Sequence, residues 1–315
     1  MKNWLKVLLF AAFTMILVAG CSTKAPGSEE KATPDENKEA PATDSMKLGL
    51  SVSTLNNPFF VTLKEGAEAE AEKQGIEITA VDAQNDPAKQ ISDIEDLIQQ
   101  GVNALIINPT DSAAVVSAIE SANNAGIPVI TVDRSAEGGE VVAHIASDNV
   151  AGGKMAGEFI LETLGSKGKI VELEGIPGSS AARERGEGFH SAVDGVEGVE
   201  VVAKQAADFD RAKGLTVMEN ILQGNKDVQA VFAHNDEMAL GALEALAAAG
   251  LNDVLVVGFD ATEDAVKAVE DGRMGATVAQ KPDLIGQQGV QTAVSVINGE
   301  KVEAFIPVEL ELIKK

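Results

Sequence analysis

Seven positions in this 315-residue chain share one chemistry. Asn57, Asp82, Asn108, Asp133, Asn235, Asp260 and Gln280 are carboxylates or carboxamides, and each closes or closely follows an apolar run that reads as a strand. Such groups accept or donate two hydrogen bonds in a fork, which suits the vicinal hydroxyls of a sugar. Arg134 stands beside Asp133, and Arg183 and Arg185 lie in Ser180-Ala-Ala-Arg-Glu-Arg-Gly186. A guanidinium carries five donors in a fixed plane and could meet sugar oxygens. Positions 183 and 185 face different ways on a helix, so only one of them can enter a shared crevice. Phe59 and Phe60 follow Asn57-Pro58, and Phe209 lies in Ala207-Asp-Phe-Asp-Arg211. Apolar rings beside carboxamides suit a molecule with C–H faces and a rim of hydroxyls. Any one Asx after a strand serves equally well as a helix cap. The series of them is what points to a ligand.

The elements that must position these residues follow from periodicity. Leu48, Leu50 and Val52 alternate with small residues in a buried strand. Asn57-Pro58 then makes a good helix start, since Asn caps free amides and proline tolerates the first helical position. Leu63, Ala67 and Ala71 recur at helical spacing behind it. Strands are expected near 46–54, 76–82, 103–108, 128–132, 141–147, 169–174, 199–205, 229–233, 254–258 and 275–280, with helices between them. A last helix from Pro282 and one strand near 305–312 complete the pattern. This alternation predicts an α/β fold with parallel sheets covered by helices on both faces. Open parallel sheets bind ligands at the carboxyl ends of their strands. Roughly 270 residues from Met46 onward exceed what one core usually holds, so two lobes are expected.

Composition narrows the partners. Lys+Arg 25 against Asp+Glu 49 gives a formal net charge of -24. Phosphate backbones would repel such a surface, and nucleic acid is not an expected partner. His144, His190 and His234 are too few and too scattered for a metal site, and no cofactor is expected. One cysteine gives no disulfide framework. At the N-terminus Lys2 and Lys6 precede an apolar run, Val7 to Ala19, with the length and flanks of a secretory signal. Leu17-Val-Ala-Gly-Cys21 resembles a bacterial lipobox, which would make Cys21 a lipid anchor. Residues 22–45 are rich in Pro, Ser, Thr, Glu and Lys and read as a flexible tether. The expected location is extracytoplasmic, on the outer face of the cell membrane.

Longer segments carry a family resemblance. Val52-Ser-Thr-Leu-Asn-Asn-Pro-Phe-Phe60, Ile107-Asn-Pro-Thr-Asp111, Val129-Ile-Thr-Val-Asp-Arg134 and His144-Ile-Ala-Ser-Asp-Asn149 make up its first half. Ser180-Ala-Ala-Arg-Glu-Arg-Gly-Glu-Gly-Phe189, Ala207-Asp-Phe-Asp-Arg211, Asn235-Asp-Glu-Met-Ala-Leu-Gly241 and Val257-Gly-Phe-Asp260 continue it. From Met46 onward the chain resembles bacterial ribose-binding proteins, the substrate-binding components of ABC sugar importers. The resemblance implies a type I periplasmic binding protein fold: two Rossmann-like lobes joined by a three-stranded hinge, with crossovers near 147–149, 280–282 and 309–311. The N-terminal reading gives a signal peptide 1–20 and a tether 21–45, a difference from the many relatives that are free periplasmic proteins, and the resemblance divides the rest into an N-terminal lobe 46–148 with 281–310 and a C-terminal lobe 149–280 with 311–315. It implies ligand contacts from Asn57, Phe59, Phe60, Asn108, Asp133, Arg134, Arg185, Phe209, Asn235, Asp260 and Gln280, with the phenylalanines against the sugar ring. The implied partners are D-ribose and the permease of an ABC transporter, with a chemoreceptor as a compatible third and a monomeric state.

Three other readings compete. A glycosidase could use Asp133 and Asp260 as acid and nucleophile, but Arg134 favours the charged form of its neighbour over a proton donor. A sugar-sensing repressor needs an N-terminal DNA-binding element, and this N-terminus reads as a signal peptide. A receptor for another pentose, or for a furanose signal molecule of the autoinducer-2 type, shares the whole pattern.

Overall fold

The computed structural model describes residues 46–315, so the leader, Cys21 and the tether lie outside the described residues. The first half runs β1 (Lys47–Val52), α1 (Pro58–Gln74), β2 (Glu77–Asp82), α2 (Pro87–Gln99), β3 (Ala104–Ile107), α3 (Val116–Asn124), β4 (Val129–Val132) and β5 (Ala143–Ser147). Next come α4 (Asn149–Leu164), β6 (Gly168–Glu174), α5 (Ser180–Val193), β7 (Val199–Ala206), α6 (Arg211–Gly224), β8 (Ala230–Ala233), α7 (Asp236–Ala248) and β9 (Leu255–Asp260). The chain finishes with α8 (Glu263–Glu270), β10 (Ala276–Ala279), α9 (Pro282–Ile297), β11 (Phe305–Val308) and β12 (Glu311–Lys314).

The strands form two six-stranded sheets, β11-β5-β4-β3-β1-β2 and β12-β10-β9-β8-β6-β7. The order is the same in both, read from the hinge-side edge. Every pairing is parallel except that of β12 with β10. Parallel strands covered on both faces are apolar on both sides, which is why they read as continuous hydrophobic runs. In β3, Ala104 and Ile106 face a core with α1 and α9, while Leu105 and Ile107 face a second core with α2 and α3. The second sheet is likewise flanked by two apolar clusters, one involving α6 and α7 and the other α4 and α5. Each fully buried Leu or Ile contributes about 1.5–3 kcal/mol.

The predicted single strand near 305–312 is two strands, one in each sheet. Only Glu309 and Leu310 separate them. β11 runs beside β5 toward the crevice, so the chain enters the second lobe from the crevice side. It must then oppose β10, which runs toward that crevice, and this makes β12 the one antiparallel strand. The chain also changes sheet after β5 and after β10. α9 leaves the second sheet and packs on α1 and on β3, β4 and β5 of the first.

α4 and α5 cross very closely, at glycines. A Cβ on Gly153 would meet the Arg185 carbonyl oxygen at 2.0 Å, and one on Gly188 would meet the Val150 carbonyl oxygen at 1.9 Å. Alanine at either position would push the helices apart. α5 carries Arg185, so this contact sets how far its guanidinium reaches.

Candidate functional site

Loops at the carboxyl ends of both sheets converge on one cavity of about 230 Å³. It is lined by Asn57, Phe59, Phe60, Asp133, Arg134, Ala181, Arg185, Phe209, Asn235 and Asp260.

From the first lobe, Asn57 caps α1, its Oδ1 accepting from the Phe59 N–H at 2.9 Å. That places Phe59 and Phe60 in the first turn, edge to face with centroids 5.1 Å apart. Asp133 follows β4 with φ 61°, a left-handed conformation few non-glycine residues adopt. Asn108 stands behind it, wholly buried and not lining the cavity. Its Nδ2 donates to Asp133 Oδ2 at 3.1 Å and to the Val132 carbonyl at 3.2 Å, and its Oδ1 accepts from the Ser53 N–H at 3.1 Å. Arg134 Nη1 donates to the Pro109 carbonyl at 3.3 Å. Its Nε lies 3.6 Å from Asp133 Oδ2, an ion-pair distance too long for a hydrogen bond, and is buried with no hydrogen-bond partner. The guanidinium lies 5.0 Å from the ring centres of Phe60 and Phe209 alike, between the lobes. Burial pushes Arg134 down to about 10, against the pull of Asp133.

From the second lobe, Arg185 Nε donates to Asn149 Oδ1 at 2.9 Å and its Nη1 to the His234 carbonyl at 2.6 Å. Nη1 also lies 3.6 Å from Asp260 Oδ1, and the guanidinium sits 3.8 Å above the Phe259 ring centre. Asp260, with φ 116°, accepts from Gln280 Nε2 at 2.9 Å. Burial pushes its carboxyl up to about 7, while Arg185 and the Gln280 amide pull it back. Gln280 thus backs Asp260 as Asn108 backs Asp133, and its Oε1 is buried without a donor. Asn235 caps α7 through the Met238 N–H at 3.0 Å and donates to the Phe209 carbonyl at 3.3 Å. Phe209, with φ 59°, lies against Gly175, where any Cβ would meet the ring at 2.0 Å.

Nine of the eleven anticipated residues line the cavity, and Asn108 and Gln280 stand directly behind its two carboxylates. Ala181 was missed, because a methyl in the first turn of α5 carries no chemical signal. Asp82 takes no part: its Oδ1 accepts from the Leu55 and Gln84 N–H groups in a local turn. Of the two α5 arginines, Arg185 enters the crevice and Arg183 stays at the surface, 2.8 Å from Glu137. Among the described residues no group of three His, Cys, Asp or Glu side chains is placed to hold a metal. The lining has no Ser, Thr, Cys, His or Lys to serve as a nucleophile with its base. What the arrangement offers is forked donors and acceptors in a water-poor slot between apolar rings.

Known proteins resemble this chain in sequence and fold. Residues 48–301 match the periplasmic binding protein domain family. The ribose import binding protein RbsB of Bacillus subtilis (strain 168) is 54% identical over 312 residues, covering 99% of each chain. That of Escherichia coli (strain K12) is 59% identical over 268 residues, covering 85% of this chain and 90% of its own. Among solved structures, an ABC transporter solute binding protein from Mycobacterium smegmatis with bound glycerol superposes with a TM-score of 0.83. It is 40% identical, over 86% of this chain and 94% of that one. With its paired α/β sheets and a polar cavity at their facing ends, the chain belongs to the periplasmic binding protein domain family.

Proposed function

We propose that this chain is the extracytoplasmic solute-binding component of an ABC importer and that it captures D-ribose between two lobes and hands it to a permease. The observation that carries the reading is the cavity itself. Two carboxylates, two carboxamides and two guanidinium groups from both lobes surround one small space walled by three phenylalanine rings. The unpartnered Arg134 Nε is a donor held out of water in the cavity wall, and a hydroxyl group can satisfy it. The ribose import proteins similar over most of the chain support ribose as the particular sugar. The lobes are 46–148 with 281–310 and 149–280 with 311–315, and closing them desolvates the polar set. The chain acts by binding, without catalysis. Cys21 carries a lipid anchor, and Cys21→Ser should release the protein from the membrane fraction; retention there would refute the anchor.

The central test is calorimetric titration with D-ribose, D-arabinose, D-xylose and D-glucose. D-ribose should bind tightest. An inverted hydroxyl leaves a buried group unpaired at a cost of about 1–3 kcal/mol, so each epimer should bind roughly tenfold or more weakly. Xylose or glucose binding at least as tightly as ribose would overturn the ribose assignment.

A further inference from the structure

Asp236, the first residue of α7, is wholly buried yet lies outside the cavity lining. An acidic residue is common in a first helical turn, where it faces free amides. This carboxylate turns instead to the loop after β9. Its Oδ2 accepts from the Thr262 N–H at 2.7 Å and from the Thr262 hydroxyl at 3.2 Å, and its Oδ1 accepts from the Thr277 hydroxyl at 2.7 Å. The Thr277 Oγ1 in turn accepts from the Ala261 N–H at 3.2 Å. Two successive backbone N–H groups therefore end on the Asp236–Thr277 pair, and they are the two that directly follow Asp260.

This turn needs to be held. Asp260 and Ala261 have φ values of 116° and 56°, consecutive positive values without glycine. Such backbone persists only where its surroundings over-determine it. Space for the clamp comes from Gly258, which pairs with Thr277 in the sheet register; a Cβ there would lie 2.3 Å from Asp236 Oδ1. Burial, and next the charge of Asp260, push the Asp236 carboxyl well above its usual range. A helix start could be built without so unfavourable a group, so its hydrogen bonds to this turn are the feature that requires an explanation.

We propose that Asp236 is a positioning residue for ligand selectivity: with Thr277 it locks the 260–262 turn and so fixes the direction from which Asp260 meets a sugar hydroxyl. The proposal rests on the reading that Asp260 contacts the sugar. Gln280 holds the Asp260 carboxylate from one side, and the Asp236–Thr277 clamp holds its backbone from behind. Charge alone would attract any polyol; a fixed direction is needed to distinguish epimers.

The test is calorimetric titration of D-ribose and D-arabinose into wild type, Asp236→Asn, Thr277→Val, Thr277→Ser, Asp260→Ala and the Asp236→Asn/Asp260→Ala double variant. Asn at 236 cannot accept from both sides, and Val at 277 keeps the shape without the hydroxyl. Both should weaken ribose about tenfold and narrow its margin over arabinose to a similar degree. Thr277→Ser retains the hydroxyl and should bind ribose within about twofold of wild type, and Asp236→Asn should add less than about threefold once Asp260 is gone. Ribose binding by Asp236→Asn and Thr277→Val within about twofold of wild type, with the margin unchanged, would overturn the proposal; so would losses for Asp236→Asn and Asp260→Ala that simply multiply. If circular dichroism shows Asp236→Asn unfolded, the Thr277→Val and Thr277→Ser pair decides the matter alone. A wild type that ignores ribose, or an Asp260→Ala variant that binds it unimpaired, would remove the underlying reading and the proposal with it.

Discussion

The two lobes share a strand order, and each presents one arginine and one aspartate to the cavity, but they hold these groups differently. In the first lobe Asp133 and Arg134 are chain neighbours, with Asp133 in the left-handed region. In the second, Arg185 comes from α5 and Asp260 from the end of β9. Arg185 is bound by its own lobe, through Asn149, the His234 carbonyl, Asp260 and the face of Phe259. Arg134 has one carbonyl at 3.3 Å, an ion-pair contact at 3.6 Å and two ring faces. Each ring face offers about 0.5–2 kcal/mol, which offsets part of the desolvation without using up the donors. Arg185 is therefore a structural member of its lobe as well as a site residue, while Arg134 is left available to whatever enters.

The largest expected effect tests this contrast directly. Arg185→Ala leaves Asp260 buried without its counter-charge and should destabilise the protein without sugar by about 3–5 kcal/mol in urea unfolding. Arg134→Ala also removes a counter-charge, that of Asp133, but it loses one long hydrogen bond where Arg185 loses two short ones, so it should destabilise the sugar-free protein less than Arg185→Ala does, yet weaken ribose about tenfold or more. Equal losses of stability for the two variants would break the comparison.

A second contrast lies one residue past the fourth strand in each sheet order, β3 and β8. The first lobe has Asn108 there and the second has His234. His234 Nδ1 accepts from the Gly175 N–H at 3.4 Å, which leaves the proton on Nε2 for Glu172 Oε1 at 2.9 Å. Burial holds His234 below its ordinary value, against the pull of Glu172. Burial alone would raise Glu172, but hydrogen bonding and charge from His234, with Lys204 and His190, bring it net below its usual range. A depressed histidine contributes stability that is present above the unfolded value near 6.5 and is lost as pH falls through it; a depressed glutamate does the same below about 4.5. His144 in the first lobe is also depressed by burial and adds to the first loss, while His190 is raised by Asp194 and Glu172 against its own desolvation and acts in the opposite sense. His234 and His144 therefore pull the melting temperature down on acidification from about pH 7 to pH 5, while His190 and the carboxyls of Asp236, Asp260 and Glu184, all raised, push it up. His234→Asn, which gives the second lobe the first lobe's solution, should remove one downward pull, so the variant should keep more of its melting temperature than wild type as pH falls. An unchanged slope would show that His234 does not set it.

How much of this was legible in the sequence follows the same division. The sheets, the helix starts and the clustering of Asx groups depend on local patterns, and Asn57-Pro58-Phe59-Phe60 carries cap, helix and rings within four residues. The split of β11 from β12 was not legible: Phe305 to Lys314 alternates almost without a break, and only the arrival of the chain from the crevice side decides that two sheets share it. Nor were the positive φ values of Asp133, Phe209 and Asp260 legible, because none is a glycine and each is held by tertiary contacts. The supporting residues were hardest to read. Asn108 and Gln280 carry the chemistry of ligand contacts, and only the three-dimensional layering shows that each also donates to the carboxylate in front of it.

The smallest expected effect concerns what joins the lobes across the mouth of the crevice. Three contacts do so beside α5: the Ser112 N–H to the Gly178 carbonyl at 2.9 Å, the Ser135 N–H to Ser180 Oγ at 2.9 Å, and Arg183 to Glu137 at 2.8 Å. The ion pair is the shortest and looks the most persuasive. Its side chains, however, are 45% and 52% exposed, and such pairs contribute about 0–1 kcal/mol after screening and side-chain entropy. Ser180 is buried, so its removal strands the Ser135 N–H at a cost of about 1–3 kcal/mol. Ser180→Ala should therefore weaken ribose by about fivefold or more, through a less stable closed form. Arg183→Ala should change it by less than about twofold, and even that difference should vanish in concentrated salt. If Arg183→Ala costs more than Ser180→Ala at physiological ionic strength, surface charge rather than buried backbone hydrogen bonding holds the two lobes together.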